Sequence, residues 1–324
     1  MNLLKMTALL SEKAMANGGS FMPPAVTNVA GQVDNLYSFL LWTSFIGCAI
    51  LLGGMIFFVM KYKRKTDTDK TPYISHNTFL EFLWSFIPLV LFLAVFGWGW
   101  HVYHQMREMP ENALEVHVMA RQWSWEFIYK SGKTTGSEFV VPVNTPVKLL
   151  MTSKDVLHSF YVPSMRIKQD VVPGRYTALW FTAENLGDFQ IFCTEYCGTS
   201  HSAMLAKMKV VTQSDYEKWI QENEEGMTLA EKGQKYYSDK GCVACHSVDG
   251  SAKVGPSWKG IFGAEHEMDD GLKVKVDENY LRESILYSNA KTVKGYAKGV
   301  MPSYQGQLTE DQVNAMIEYI KSLK

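Results

Sequence analysis

The chain has 324 residues and a formal net charge of −1, from 33 acidic against 32 basic side chains. That balance excludes the strong basic bias of a nucleic-acid binder, and the length allows two or three domains. Nine Trp and only 20% charged residues fit a protein with a membrane part and folded soluble parts.

The N-terminal segment, residues 1–35, has small residues near Ala16 that could pass for a cleavage region. Glu12 and Lys13 interrupt any apolar core, so a signal peptide is not expected and the first apolar span serves as the export signal. From Leu36 to Met60 the chain reads "LYSFLLWTSFIGCAILLGGMIFFVM", without a charge and long enough to cross a bilayer with some tilt. A second uncharged run, "FLWSFIPLVLFLAVFGWGW", covers Phe82 to Trp100. A buried soluble helix can be this apolar, but two such runs in tandem point to membrane spans, here 36–60 and 79–103. The connection, 61–78, carries Lys61, Lys63, Arg64, Lys65 and Lys70. The positive-inside rule puts it in the cytoplasm, so both termini and everything after the second span are expected on the extracytoplasmic side. Trp98, Trp100 and Tyr103 then anchor the outer interface.

After Pro110 the pattern changes to short alternating segments: "LEVHVMA" at 114–120, "WSWEFIY" at 123–129, "PVKLLMT" at 146–152 and "YTALWFT" at 176–182. Ser131-Gly132, Asn144-Thr145-Pro146, Pro173-Gly174 and Leu186-Gly187 separate them, so 112–212 reads as a small antiparallel β-sandwich or barrel. A polar stretch, 213–226, follows as a helix or linker. The remainder, 227–324, turns helical. In "LTEDQVNAMIEYIKSL", Thr309 is the expected N-cap, and Val313, Met316, Ile317 and Ile320 recur at helical spacing.

Chemistry concentrates in two places. "CVACH" at 242–246 is the spacing for covalent heme c: Cys242 and Cys245 for the thioether bonds, His246 for the iron. A redox Cys-x-x-Cys pair would leave the following His incidental. It would also leave unexplained the helix that ends at Gly241, the loop "GPSWKGIFG" at 255–263 and "GVMPSY" at 299–304, which offers Met301 as second axial ligand with Met268 as nearest competitor. The other place is "FCTEYCGTSHSAM" at 192–204, with Cys193, Cys197, His201 and Met204 in one loop. A disulfide would leave His201 and Met204 without a role. Zinc seldom uses a thioether, whereas thiolate, imidazole and thioether together favour copper. With His158 from "VLHSFYVPS" added, the donors exceed what one blue copper needs, and two thiolates can bridge two copper ions.

These motifs resemble subunit II of the heme–copper cytochrome c oxidases, with a fused C-terminal class I cytochrome c domain. The likeness runs from about Pro23 to the end. It implies a two-span helical hairpin, a cupredoxin-like antiparallel β-barrel or sandwich, and an all-α cytochrome c domain. It also implies a dinuclear copper A centre held by His158, Cys193, Glu195, Cys197, His201 and Met204, with Glu195 contributing its carbonyl. By itself Glu195 is a solvated loop acid; the resemblance makes its side chain a ligand of magnesium shared with subunit I. "RQWSWEF" at 121–127 is similar to the aromatic segment beside copper A, which makes Trp123, otherwise a packing residue, the group facing the incoming electron. "LEFLWSFIP" at 80–88 is similar to the opening of the family's second span. Glu81, which the helix dipole alone would favour there, becomes the acid at the entrance of a proton channel. Asp170 and Arg175 lie in a family-like turn at subunit contacts. Cys48, His101, His104, His117 and His266 have no partner pattern.

The function implied is an electron-accepting subunit of a proton-pumping terminal oxidase in the bacterial inner membrane. Electrons come from a cytochrome c or a quinol–cytochrome c reductase through heme c to copper A and on to subunit I, where oxygen is reduced to water; subunit III is a further partner. The chain holds no ligands for the oxygen site itself. A nitrous oxide reductase would need a second His-rich copper domain, for which eight His do not suffice. A free membrane-tethered carrier would leave Glu81 and the magnesium position unexplained, and a quinol oxidase subunit would lack the copper ligands. The two soluble parts are nearly balanced in charge, so their docking is expected to be largely apolar, near Trp123, and to rely on the 213–226 tether.

Overall fold

The computed structural model describes residues 22–222 and 224–324. It contains two compact units, Asn28–Glu108 and a second made of 22–27 with 109–324.

The first unit is a pair of helices, α1 (Ala30–Lys61) and α2 (Thr78–Arg107). At about 1.5 Å per residue each exceeds the roughly 30 Å hydrocarbon layer. Both overrun the spans read from the sequence, because polar residues continue the helix past the apolar run. Leu, Ile, Phe and Trp side chains are exposed all round them. A helix apolar on every face and uncovered by protein has lipid as its partner. Asn77 caps α2 by accepting from Leu80 N at 3.2 Å, and Glu81 accepts from Asn77 N at 3.1 Å. Phe39 packs on Trp98 at 5.6 Å between ring centres, and Gly99 leaves room for Leu36.

The second unit starts with two five-stranded sheets. One has the order β3 (Thr134–Thr135), β2 (Ser124–Tyr129), β1 (Leu114–Arg121), β5 (Pro146–Ser153), β8 (Thr177–Thr182). The other runs β4 (Glu138–Pro142), β10 (Leu205–Val211), β9 (Gly187–Cys193), β6 (His158–Val162), β7 (Ile167–Val171). Two pairings, β1 with β5 and β4 with β10, are parallel, so the sandwich is mixed rather than wholly antiparallel. The four segments read as strands are all strands. β5 alternates strictly between core and half-buried positions, as period-two patterning requires. Phe127, Phe139 and Phe160 fill the space between the sheets, the first two stacked at 4.8 Å. Residues 22–27 lace onto this sandwich: Val26 N donates to Ser164 O at 3.0 Å and Glu184 N to Val26 O at 2.9 Å.

The stretch read as a helix or linker is largely helical. α3 (Gln213–Gln221) is capped by Thr212 and buries Tyr216. Trp219 packs edge-on against Tyr129 at 5.0 Å, with Lys133 Nζ over the ring at 4.1 Å from its centre. Two aromatics in an otherwise polar segment suffice to seat it on the β-sandwich.

The rest is helical around its own core. α4 (Leu229–Asp239) and α6 (Glu310–Ser322) each open with a capping box, Thr228 with Glu231 and Thr309 with Gln312. They cross so closely that a Cβ on Gly233 would stand 2.0 Å from Ala315 O. α5 (Glu278–Leu286) and a short hairpin, β11 (Glu265–Glu267) with β12 (Lys273–Lys275), complete the domain. Its core includes Tyr237, Trp258, Leu281, Ile285, Val313, Met316 and Ile320.

Candidate metal and heme sites

The loop between β9 and β10 gathers its donors on one sulfur pair. Cys193 Sγ lies 3.7 Å from Cys197 Sγ and 3.9 Å from His158 Nδ1, and its thiol donates to Glu195 O at 3.3 Å. Cys197 Sγ lies 3.5 Å from His201 Nδ1 and 3.9 Å from Met204 Sδ. All six residues named from the sequence thus meet around two sulfurs. His158 and Met204 are fully buried, and both cysteines are buried. The thiols are free. Hydrogen bonding with Cys197, and then with His158, holds the Cys193 thiol well below its usual range, while its bond to Cys193 and burial push the Cys197 thiol above it. Two bare thiolates this close repel, so full ionisation of the pair waits for cations between them. Two soft thiolates, two imidazoles, a thioether and a carbonyl in one buried nest fit two copper ions.

Three residues that the sequence reading passed over support this nest. Asp155 Oδ1 pairs with His158 Nε2 at 2.8 Å, which fixes the tautomer and leaves Nδ1 facing the sulfur. Its other oxygen accepts from Gln122 N at 2.7 Å. Gln122 Nε2 and Trp123 Nε1 both donate to Cys197 O, at 2.8 and 3.2 Å. Gly198, at φ +119°, has no room for a side chain because Gln122 Nε2 would sit 2.9 Å from its Cβ. The one available cue was spacing: a ligating imidazole needs an acceptor for its second nitrogen, and Asp155 is three residues before His158. Trp123 is thus bonded to the ligand loop and only 9% exposed. Glu195 is half-buried on the same loop, and Glu81 is in the first turn of α2.

In the helical domain, His246 and Met301 line one cleft with Pro256, Trp258, Tyr280 and Ile285. His246 Nδ1 donates to Pro256 O at 2.7 Å, so Nε2 is the free nitrogen. Burial lowers the affinity of that ring for a second proton, which keeps it neutral and able to bind a metal. Gly255 must lack a side chain because the ring would stand 2.6 Å from its Cβ. Met268, the rival ligand, is buried in the core and does not line the cleft, so the placement favours Met301. Two cysteines beside an apolar cleft that carries an imidazole and a thioether fit a covalently held heme.

The two sites meet. Ser200, next to His201 in the metal loop, places Oγ 3.3 Å from Cys245 Sγ of the heme-attachment segment.

Comparison with known proteins agrees over most of the chain. The transmembrane-domain model of cytochrome c oxidase subunit II matches residues 15–98, and its periplasmic-domain model matches 131–211. A cytochrome c model matches 230–324. Cytochrome c oxidase subunit 2 of Alkalihalophilus pseudofirmus is 33% identical over 285 residues, 83% of this chain and 81% of the relative. The same subunit of Cereibacter sphaeroides is 29% identical over 245 residues, 63% of this chain and 80% of the relative. The crystal structure of the periplasmic domain of subunit II from Bradyrhizobium japonicum is 31% identical with TM-score 0.34, covering 35% of this chain and 94% of that one. The chain belongs to the cytochrome c oxidase subunit II family. It is a membrane protein with a fused C-terminal cytochrome c domain, and its matches imply copper A and heme c as cofactors and subunit I of a heme–copper oxidase as partner.

Proposed function

We propose that this subunit receives single electrons on its cytochrome c domain and delivers them through its copper loop to subunit I. The observation that carries the reading is the 3.3 Å contact of Ser200 Oγ with Cys245 Sγ. It joins the residue beside a copper ligand to the residue that attaches heme. When bound, heme c and copper A supply reversible one-electron chemistry, and oxygen reduction to water takes place in subunit I. The chain's own residues set the terms of that transfer. Cys242, Cys245, His246 and Met301 hold the heme; His158, Cys193, Cys197, His201, Met204 and the Glu195 carbonyl hold the copper pair. Asp155 keeps His158 in one tautomer. Trp123 and Gln122 tie the copper loop to β1 and β2, so the ligands move little when the charge changes. Water is kept from the sulfurs by burial of His158, Met204 and both cysteines.

The Glu195 carboxylate is assigned to magnesium at the subunit I boundary, and Glu81 to the entrance of a proton channel. For Glu81 the alternative is visible: its bond to Asn77 N makes it part of the cap of α2. Residues 22–27 pair with the β-sandwich. With the basic connection 61–78 in the cytoplasm, both soluble domains lie outside. Subunit III and a cytochrome c or quinol–cytochrome c reductase donor complete the set of partners.

The test is flash photolysis of the intact subunit, following electron passage from heme to copper. Ser200→Val is expected to slow that passage at least several-fold while leaving the copper spin signal and the heme spectrum unchanged. An unaltered rate removes the contact from the path.

A further inference from the structure

Residues Asp239, Lys240 and Gly241 immediately precede Cys242, and each grips a different piece of the β-sandwich. Asp239 Oδ1 accepts from both Ser137 N and Ser137 Oγ at 2.9 Å. The neighbouring Gly136 is buried so tightly that a Cβ there would stand 2.1 Å from Asp239 O and 2.5 Å from Asp239 Cα. Lys240, with a side chain only 13% exposed, reaches Glu126 at 3.6 Å. Gly241, at φ +79°, would drive a Cβ to 2.8 Å from Ser124 Cβ and 3.1 Å from Trp123 O. Elsewhere on the same face, Arg121 is buried, donates to Gln307 Oε1 and lies 5.6 Å from the centre of the Tyr304 ring.

This is not the surface of a domain that comes and goes. Transient redox encounters rely on small contacts and exposed charges. Here peptide groups meet peptide groups at two glycines, and a charged carboxylate receives two hydrogen bonds, each the kind worth about 1.5–3 kcal/mol. The face is polar rather than the apolar one anticipated from the balanced charges. The connection adds to the hold. α3 is seated on the sandwich by Trp219, and Glu224 is bound to Lys235 Nζ at 2.6 Å and Tyr236 Oη at 2.5 Å.

We propose that Gly136, Ser137 and Asp239 are a key that locks the heme-bearing domain onto the copper-bearing one, so that the pair is permanently docked and Trp123 is closed to any external donor. An outside electron then arrives only on the cytochrome c domain. The proposal deepens the functional reading above and rests on it.

The experiment uses the full-length subunit loaded with both cofactors. Dipolar spin-resonance spectroscopy between ferric heme and oxidised copper reads the distribution of distances between them. The wild type is expected to give one narrow distance. Gly136→Leu and Asp239→Ala are each expected to lose it, giving a broad distribution, while the heme and copper spectra stay native. If Gly136→Leu fails to fold, its spectra report that, and Asp239→Ala decides. A broad wild-type distribution overturns permanent docking yet leaves the functional reading standing, because both cofactor signals are present. Narrow distances in the variants overturn the key. Absence of a copper or heme signal in the wild type would instead sink the functional reading itself.

Discussion

Cys197 touches three other donors at once: Cys193, His201 and Met204 all approach its sulfur within 3.9 Å. One thiolate cannot bridge two metals symmetrically with a serine as its partner, so Cys197→Ser is expected to bind at most one copper. The loss of the delocalised two-copper spin signal, with copper content halved, checks this. At the heme, Met301→Ala should leave the thioether attachment intact and lower the midpoint potential, since a thioether opposite imidazole raises it. A redox titration that finds no change would return the ligand role to Met268. These ligands were readable because the motifs are contiguous and their residue types are scarce. Asp155, Gln122 and Ser200 were not. Each acts through a backbone or second nitrogen whose partner lies far along the chain, and nothing in their type marks them.

Among the elements, the crossing of α4 and α6 is the tightest. Gly233→Val would push a Cβ with two methyl groups into Ala315 O, already 2.0 Å from a Cβ at that position. Overpacking of this kind costs about 1–3 kcal/mol or more, so thermal unfolding of the cytochrome c domain should move several degrees lower. An unchanged transition would mean that the helices slide apart at no cost. α6 was legible in full, N-cap included, because its apolar residues recur strictly. α3 was only half legible, since two aromatics in a run of charges do not define a face until Tyr129 and Lys133 are known. Four strands were named from the sequence; β3, β4, β6, β7, β9 and β10 were not, several being short or interrupted by loop residues that serve the metal site. The parallel pairings were invisible, because alternation says which face a residue takes and nothing of its neighbour's direction.

At the scale of the molecule, one carboxylate reports on the union of the two soluble domains. Burial alone would raise Glu126, but Lys240, Lys154 and Arg121 outweigh it and hold the group below the ordinary carboxylate range. A lowered native value adds stability above the unfolded value, about 4.3, and that contribution disappears as pH falls through the native value. Glu126→Gln should therefore be less stable at neutral pH and show a flatter acid limb, measured as melting temperature against pH. Parallel curves would refute the linkage. In the assembled oxidase, Glu81→Gln is expected to slow proton uptake while electron passage from heme to copper proceeds at the wild-type rate; normal turnover would leave Glu81 as a helix cap alone. The parallel pairing of β4 with β10 carries a different kind of consequence, one of timing. A ribosome releases β4 early and must deliver most of the sandwich before β10 arrives to lie beside it. Every copper ligand, from His158 to Met204, is made within that interval. Long-range pairings of this kind close late, so a newborn chain shows both thiols bare before it has a nest for them. Copper delivery is then a task for after synthesis, once Val211 has docked beside Pro142.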